Sequence, residues 1–105
     1  MGIEIKIDGS EMEYNTILAL RHNKSPDRKP EECLPDIIKE GFFYKFLKDR
    51  YRIFPIGRQI PLVKTEGEGR LSDTLAQVII TQQTQYMLGG NIFTKGEYVV
   101  TEGSE

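Results

Sequence analysis

The chain is nearly empty of the side chains that usually carry chemistry: histidine and cysteine each occur once, as His22 and Cys33, and tryptophan is absent. A single cysteine excludes an internal disulfide and any thiolate zinc cluster. His22 stands beside Asn23 and Lys24 with no second strong ligand at a recognised spacing, so it reads as a solvated imidazole. Long apolar runs are missing as well. The longest, Ile17 to Leu20 and Val78 to Ile80, fall far short of the roughly 18 residues a membrane span requires. Neither sign of charge dominates: 14 Lys and Arg against 16 Asp and Glu leave −2, so the whole chain is no polycation seeking nucleic acid or an acidic membrane. No basic segment followed by an apolar one opens the chain, and a cytoplasmic protein is expected. Hydrophobic residues at 38% still exclude wholesale disorder, and 105 residues leave room for one core, hence a single domain over 1–105.

What is present is alternation. Ile3, Ile5 and Ile7 share one parity against Glu4 and Lys6, and Asp8-Gly9 suits a tight reversal. Met12 to Leu20 then continues with period two, which predicts a β-hairpin. Arg21 to Pro35 holds three prolines and little apolar content, and predicts a surface loop that contributes little to stability. Pro35 to Glu40 is expected to form one short helix, followed by strands at Phe42 to Leu47 and Tyr51 to Pro55 around a Lys48–Arg50 turn. Gln59 to Lys64 reads as an edge strand because Pro61 cannot donate to a ladder. Thr74 to Thr84 and Ile92 to Val100 complete the set across Gly89-Gly90, with a bulge expected at Gly96 and a frayed tail at 101–105. Ile5, Ile7, Leu18, Val78, Ile80 and Val99 are the expected core. The fold class that follows is mainly β: one small antiparallel sheet curled into a partly closed barrel, with one short helix. The alternative is α+β, with a helix from Pro35 to Arg50.

No convergent catalytic set is visible. Cys33 has no histidine neighbour, no carboxylate pair stands apart from the others, and no cofactor or metal site is expected. Glu66-Gly67-Glu68-Gly69 lacks the Lys-Ser or Lys-Thr of a phosphate-binding loop and carries two repelling carboxylates. The feature that departs from a plain surface is charge segregation. Residues 45–70 sum to +4, whereas 1–20 and 71–105 each sum to −3. Within and beside that block the candidate ligand-binding residues are Tyr44, Lys45, Arg50, Tyr51, Arg52 and Arg58. Cations interleaved with aromatics are what a single-strand nucleic-acid binder uses for phosphates and bases. The competing expectation puts Tyr44, Phe46, Tyr51 and Phe54 toward the core and the cations on a wet sheet face. That second expectation is favoured, with no measurable binding to RNA or DNA at physiological salt.

Glu13-Tyr14-Asn15-Thr16-Ile17-Leu18, Tyr51-Arg52-Ile53-Phe54-Pro55-Ile56 and Ile60-Pro61-Leu62, with Met1-Gly2, resemble a family of small uncharacterised bacterial proteins, a domain of unknown function. In that family an early Asn-Thr or Asn-Ser strand leads to a Gly-Tyr-Arg-hydrophobic-Pro-Ile strand and then a Pro-Ile strand; Ala76 to Ile80 is similar to a later one. The Ile3–Ile7 strand, the Arg21–Pro35 insertion and the Gly89-Gly90 hairpin depart from it. The resemblance implies a small β fold in a bacterial cytoplasm and carries over no functional residue. The function expected is a non-enzymatic binding or interaction module holding a protein partner, with single-stranded nucleic-acid binding through residues 42–70 as the alternative.

Overall fold

The computed structural model describes residues 2–7, 10–22, 26–66 and 69–103, with side chains from Met12 onward. Alternation decides the architecture, because period two sends every second residue of a strand to the same face. Leu18 and Leu20, Ile60 and Leu62, then Ala76, Val78 and Ile80, and Tyr98 and Val100 are all buried on one face of a five-stranded sheet. Its strands are β3 (Leu18–Arg21), β4 (Phe43–Asp49), β6 (Gln59–Thr65), β7 (Ala76–Leu88) and β8 (Asn91–Glu102), ordered β3-β6-β7-β8-β4. A second, three-stranded sheet takes β1 (Gly2–Ile7), β2 (Ser10–Asn15) and β5 (Tyr51–Ile53) in the order β1-β2-β5.

The mainly β class is therefore correct, while the single antiparallel sheet is not. Two pairings are parallel, β2 with β5 and β3 with β6. The expected continuous strand from Met12 to Leu20 breaks at Thr16–Ile17, where the chain leaves the small sheet and enters the large one. Arg50 makes the reverse crossing, with φ at 72°, so Phe43–Asp49 and Tyr51–Ile53 do not form a hairpin but lie in different sheets. Strands that bend from one sheet into another make the corners of such folds.

Neither expected helix forms. Residues 43–49 are strand, and the helical element is a 3-10 turn at Pro30–Glu32. Between Pro35 and Gly41, whose φ is 83°, too few residues remain to repay the cost of nucleating a helix. The Tyr44 hydroxyl instead takes up the backbone there, donating to the Ile37 carbonyl at 2.8 Å and accepting from the Lys39 N–H at 3.2 Å. Strand β6 is internal rather than an edge. Pro61 is tolerated because β7 pairs with Gln59–Leu62 and β3 only with Leu62–Thr65, so it sits where one ladder hands over to the other. Two register shifts fall on β7, between Gln77 and Val78 and between Ile80 and Gln82, and none at Gly96. Gly96 has its own reason: a Cβ there would run into the Gln82 carbonyl and come within 2.9 Å of the Phe46 ring that covers it. Val99 proves half-buried on the outer face, since Tyr98 and Val100 take the inward parity. Thr101 and Glu102 still belong to β8 rather than fraying. The Asp8-Gly9 turn, the Ile5 and Ile7 side chains and residues 104–105 lie outside the described parts.

The two edges of the large sheet, β3 and β4, share no ladder, so no closed barrel results. They do approach each other: the Lys48 ammonium on β4 donates to the Ala19 carbonyl on β3. The segment after the 3-10 turn fills the seam. Cys33 bridges to Arg21, Leu34 donates its N–H to the Arg21 carbonyl at 2.8 Å, and both side chains are buried. The described part of 21–35 is thus no loose surface loop. It lends Leu34 to the core cluster.

Candidate functional site

The six residues expected to form a site do not converge. Tyr44 packs on Tyr98 with ring centroids 5.5 Å apart and planes tilted by 30°, and spends its hydroxyl on residues 37–39. Lys45 lies exposed on the outer face opposite Glu97. Tyr51 is half-buried in β5, and Arg58 is exposed on the β5–β6 connection. Arg50 projects at the sheet crossing, 3.7 Å from Glu13. The neighbours that would have completed a stacking surface, Phe46 and Phe54, are each 1% exposed and pack edge-to-face at 5.3 Å. Tyr44, Phe46 and Phe54 thus serve the core, whereas Tyr51 lies outside the core cluster and Phe42 and Phe43 are exposed.

Arg52 is a clamp. Its guanidinium reaches Glu13 at 3.1 Å, Asn15 at 3.2 Å and Asp49 at 2.8 Å, tying β2 to the end of β4. Burial alone would raise the Asp49 carboxyl, but the hydrogen bond and charge of Arg52 outweigh it and hold that group below its usual value. Next to it, burial first and then the Arg52 charge lower the Lys48 amine from 10.5 to about 8. These groups hold the sheets in place; beside them Arg50 and Tyr51 line an open hollow of about 580 Å³ with Asp49 and residues 90–93, where Arg50 is the one cation among the described residues.

A different set of cations does gather. Pairing of Arg21 with Thr65 lays the ends of β3 and β6 side by side, carrying Arg21, His22 and Lys64 together. The Thr65–Leu71 bridge and the Glu66 N–H to Arg70 carbonyl bond of 2.8 Å turn the chain back, returning Arg70 to the same place. The Arg21–Cys33 bridge draws the preceding loop alongside, and with it Arg28. Arg21, His22, Arg28, Lys64 and Arg70 line one hollow of about 490 Å³; among the described residues its lining holds one carboxylate, Glu66, 3.5 Å from the Lys64 ammonium. Among the described residues no Phe, Tyr or Trp lines it. Another hollow of about 370 Å³, between the 3-10 turn and the outer sheet face, gathers Lys29, Lys45 and Lys95 but balances them with Glu31 and Glu97. Near-cancellation makes it the weaker candidate.

The basic hollow can attract and orient an anion, with arginine forks suited to carboxylate or phosphate oxygens. Among the described residues no three His, Cys, Asp or Glu side chains are grouped as metal ligands. Also among the described residues, no helix is long and apolar enough to cross a membrane. Reading by sequence missed the hollow because its cations come from separate segments. Arg21, His22 and Arg28 sit where local charges balance, and only Lys64 and Arg70 belong to the positive block.

No family model matches the chain, and no curated protein does. Among solved structures, the crystal structure of ytmB from Bacillus subtilis, a structural-genomics target, is similar to it. The TM-score is 0.57 at 14% identity, covering 90% of this chain and 92% of that one. At that identity the likeness speaks for the fold alone.

Proposed function

We propose that the protein is a non-enzymatic binding module that holds a protein partner by an acidic or phosphorylated segment in the basic hollow. One observation carries this reading: four permanent cations from three chain segments surround one cavity in a chain whose net charge is −2. Gathering like charges works against folding by mutual repulsion. Single-stranded nucleic acid is the poorer ligand, because base stacking needs aromatic faces that this hollow does not offer. A bacterial cytoplasmic setting belongs to the same proposal, supported by the lone cysteine and the resemblance of the Tyr51–Ile56 segment.

The test is a titration, followed by fluorescence anisotropy, with a Glu-rich peptide, its phosphoserine counterpart, a neutral peptide and an oligodeoxythymidylate. Both anionic peptides should bind with affinity that falls as salt rises. Arg21→Gln with Arg70→Gln should weaken them at least tenfold and leave the circular dichroism unchanged. Absence of peptide binding at low salt, or tighter binding of the oligonucleotide, would overturn the proposal.

A further inference from the structure

Strand β7 is longer than the strands that cover it. Its 13 residues run from Ala76 to Leu88, yet β6 pairs only with Ala76–Ile79, and Ile56 adds one bridge at Ile80. From Thr81 to Leu88, among the described residues, the edge turned away from β8 has no strand beside it. Strand β5 does not fill that place, because its hydrogen bonds go to the inward side chains of Gln83 and Gln85 rather than to the β7 backbone. Eight residues of free edge extend about 27 Å at strand rise.

Free edges are normally guarded by lysine, proline or an inward charge, since they invite another strand. Beyond the bulge at Thr81, this one has no such guard. From Thr74 to Thr94 no residue is charged, in a chain where 29% of residues are, and no proline interrupts the run. Met87 and Leu88, 66% and 61% exposed, add apolar surface at the free end.

We infer that this edge pairs with the same edge of a second copy, antiparallel about a two-fold axis, joining two five-stranded sheets into one. The lack of charge singles out that occupant. In a two-fold antiparallel pair the central residue faces itself, and any charge there would meet its like. Centred on Thr84, the pairing sets Gln82 against Tyr86 and Thr81 against Met87, neutral against neutral, and keeps inward residues on the inward side. Lys95 lies opposite Thr84 on β8 with its ammonium 5.3 Å from the Tyr86 ring, so that in the pair the two strands β7 stand between the two strands that carry it. The contact is small and apolar only at its ends, so the dimer should be concentration-dependent. It lies away from the basic hollow and does not depend on the proposed function.

Sedimentation equilibrium of the full chain from micromolar to hundreds of micromolar tests this, with Thr84→Lys and Thr84→Asp beside it. Thr84 is exposed, so both variants should fold, as circular dichroism will report. The unmodified chain should move from monomer to dimer over that range. Both variants should weaken dimerisation at least tenfold, because either sign faces its own copy; a contact with a different surface would respond in opposite directions to the two. A chain that stays monomeric throughout, a dimer indifferent to both variants, or growth beyond dimer would each overturn the inference.

Discussion

The two halves of the β7–β8 hairpin use the same inward positions in opposite ways. Before the shift between Ile80 and Gln82, the inward residues Ala76, Val78, Ile80, Tyr98 and Val100 are buried in hydrocarbon. Beyond it, Gln83, Gln85 and Thr94 point the same way and replace a missing ladder. The Thr94 hydroxyl accepts the Arg52 N–H at 3.0 Å and donates to the Arg50 carbonyl at 2.9 Å. Gln83 exchanges two hydrogen bonds with the Phe54 backbone, at 2.9 and 2.7 Å, and Gln85 donates to the Arg52 carbonyl at 2.9 Å. Strand β5 thus has β2 on one side and a row of side chains on the other. An inward polar residue in a strand can be a backbone partner, which an alternation pattern does not distinguish from a wet face.

The sharpest way to break the comparison is in its apolar half. Ile80→Ala removes a fully buried side chain packed within the core cluster and should cost about 2–5 kcal/mol in urea denaturation. In the polar half, Thr94→Val keeps the shape but strands the Arg52 N–H and Arg50 carbonyl, and about 2–3 kcal/mol should be lost. A valine variant as stable as the parent chain would mean that water replaces the hydroxyl there, and that the row of side chains is dispensable.

How much of this was legible in the sequence follows from the same contrast. Leu18, Val78 and Ile80 were readable as core because alternation and β-branching agree there. Val99 misled because the last strand offers two parities, and the buried one contains Thr94 and Gly96, which look unlike core. The corner at Thr16–Ile17 and the parallel pairings were hidden, since they depend on which distant strands meet. Leu34 was lost among prolines that suggested a loose loop. The basic hollow was least legible, because only the pairing of Arg21 with Thr65 and the return of Arg70 bring its cations together.

The seam between β3 and β4 gives a smaller, pH-dependent effect. With Lys48 at about 8 in the folded chain and 10.5 unfolded, the unfolded state alone holds the proton between those values. Stability should therefore rise with pH from about 8, by about 1–2 kcal/mol after allowing for partial solvent access. Burial pushes the Tyr98 phenol well above its usual 10.0, so above that pH the unfolded chain ionises first and stability should fall again. Urea midpoints should peak near pH 10, and Lys48→Met should flatten the rising limb. An equal rise in that variant would locate the titrating group elsewhere.

The smallest effect concerns the hinge that sends the chain from the apolar-backed sheet to the polar-held strand. Arg50 adopts φ 72°, where an L side chain crowds its own backbone at a cost of roughly 1–2 kcal/mol. Its N–H is held by the Ile92 carbonyl at 2.8 Å, which fixes the conformation whatever the side chain. The guanidinium adds little, since it is 62% exposed and 3.7 Å from Glu13. Arg50→Ala should accordingly leave stability nearly unchanged, because alanine inherits the strain. Arg50→Gly should be more stable than Arg50→Ala by about 0.5–1 kcal/mol, once the extra freedom of unfolded glycine is set against the relief. In an ordinary strand the order is the reverse, alanine over glycine, so the sign alone decides. Alanine proving the more stable would show that the crossing is not left-handed and that the two sheets join through some other bend.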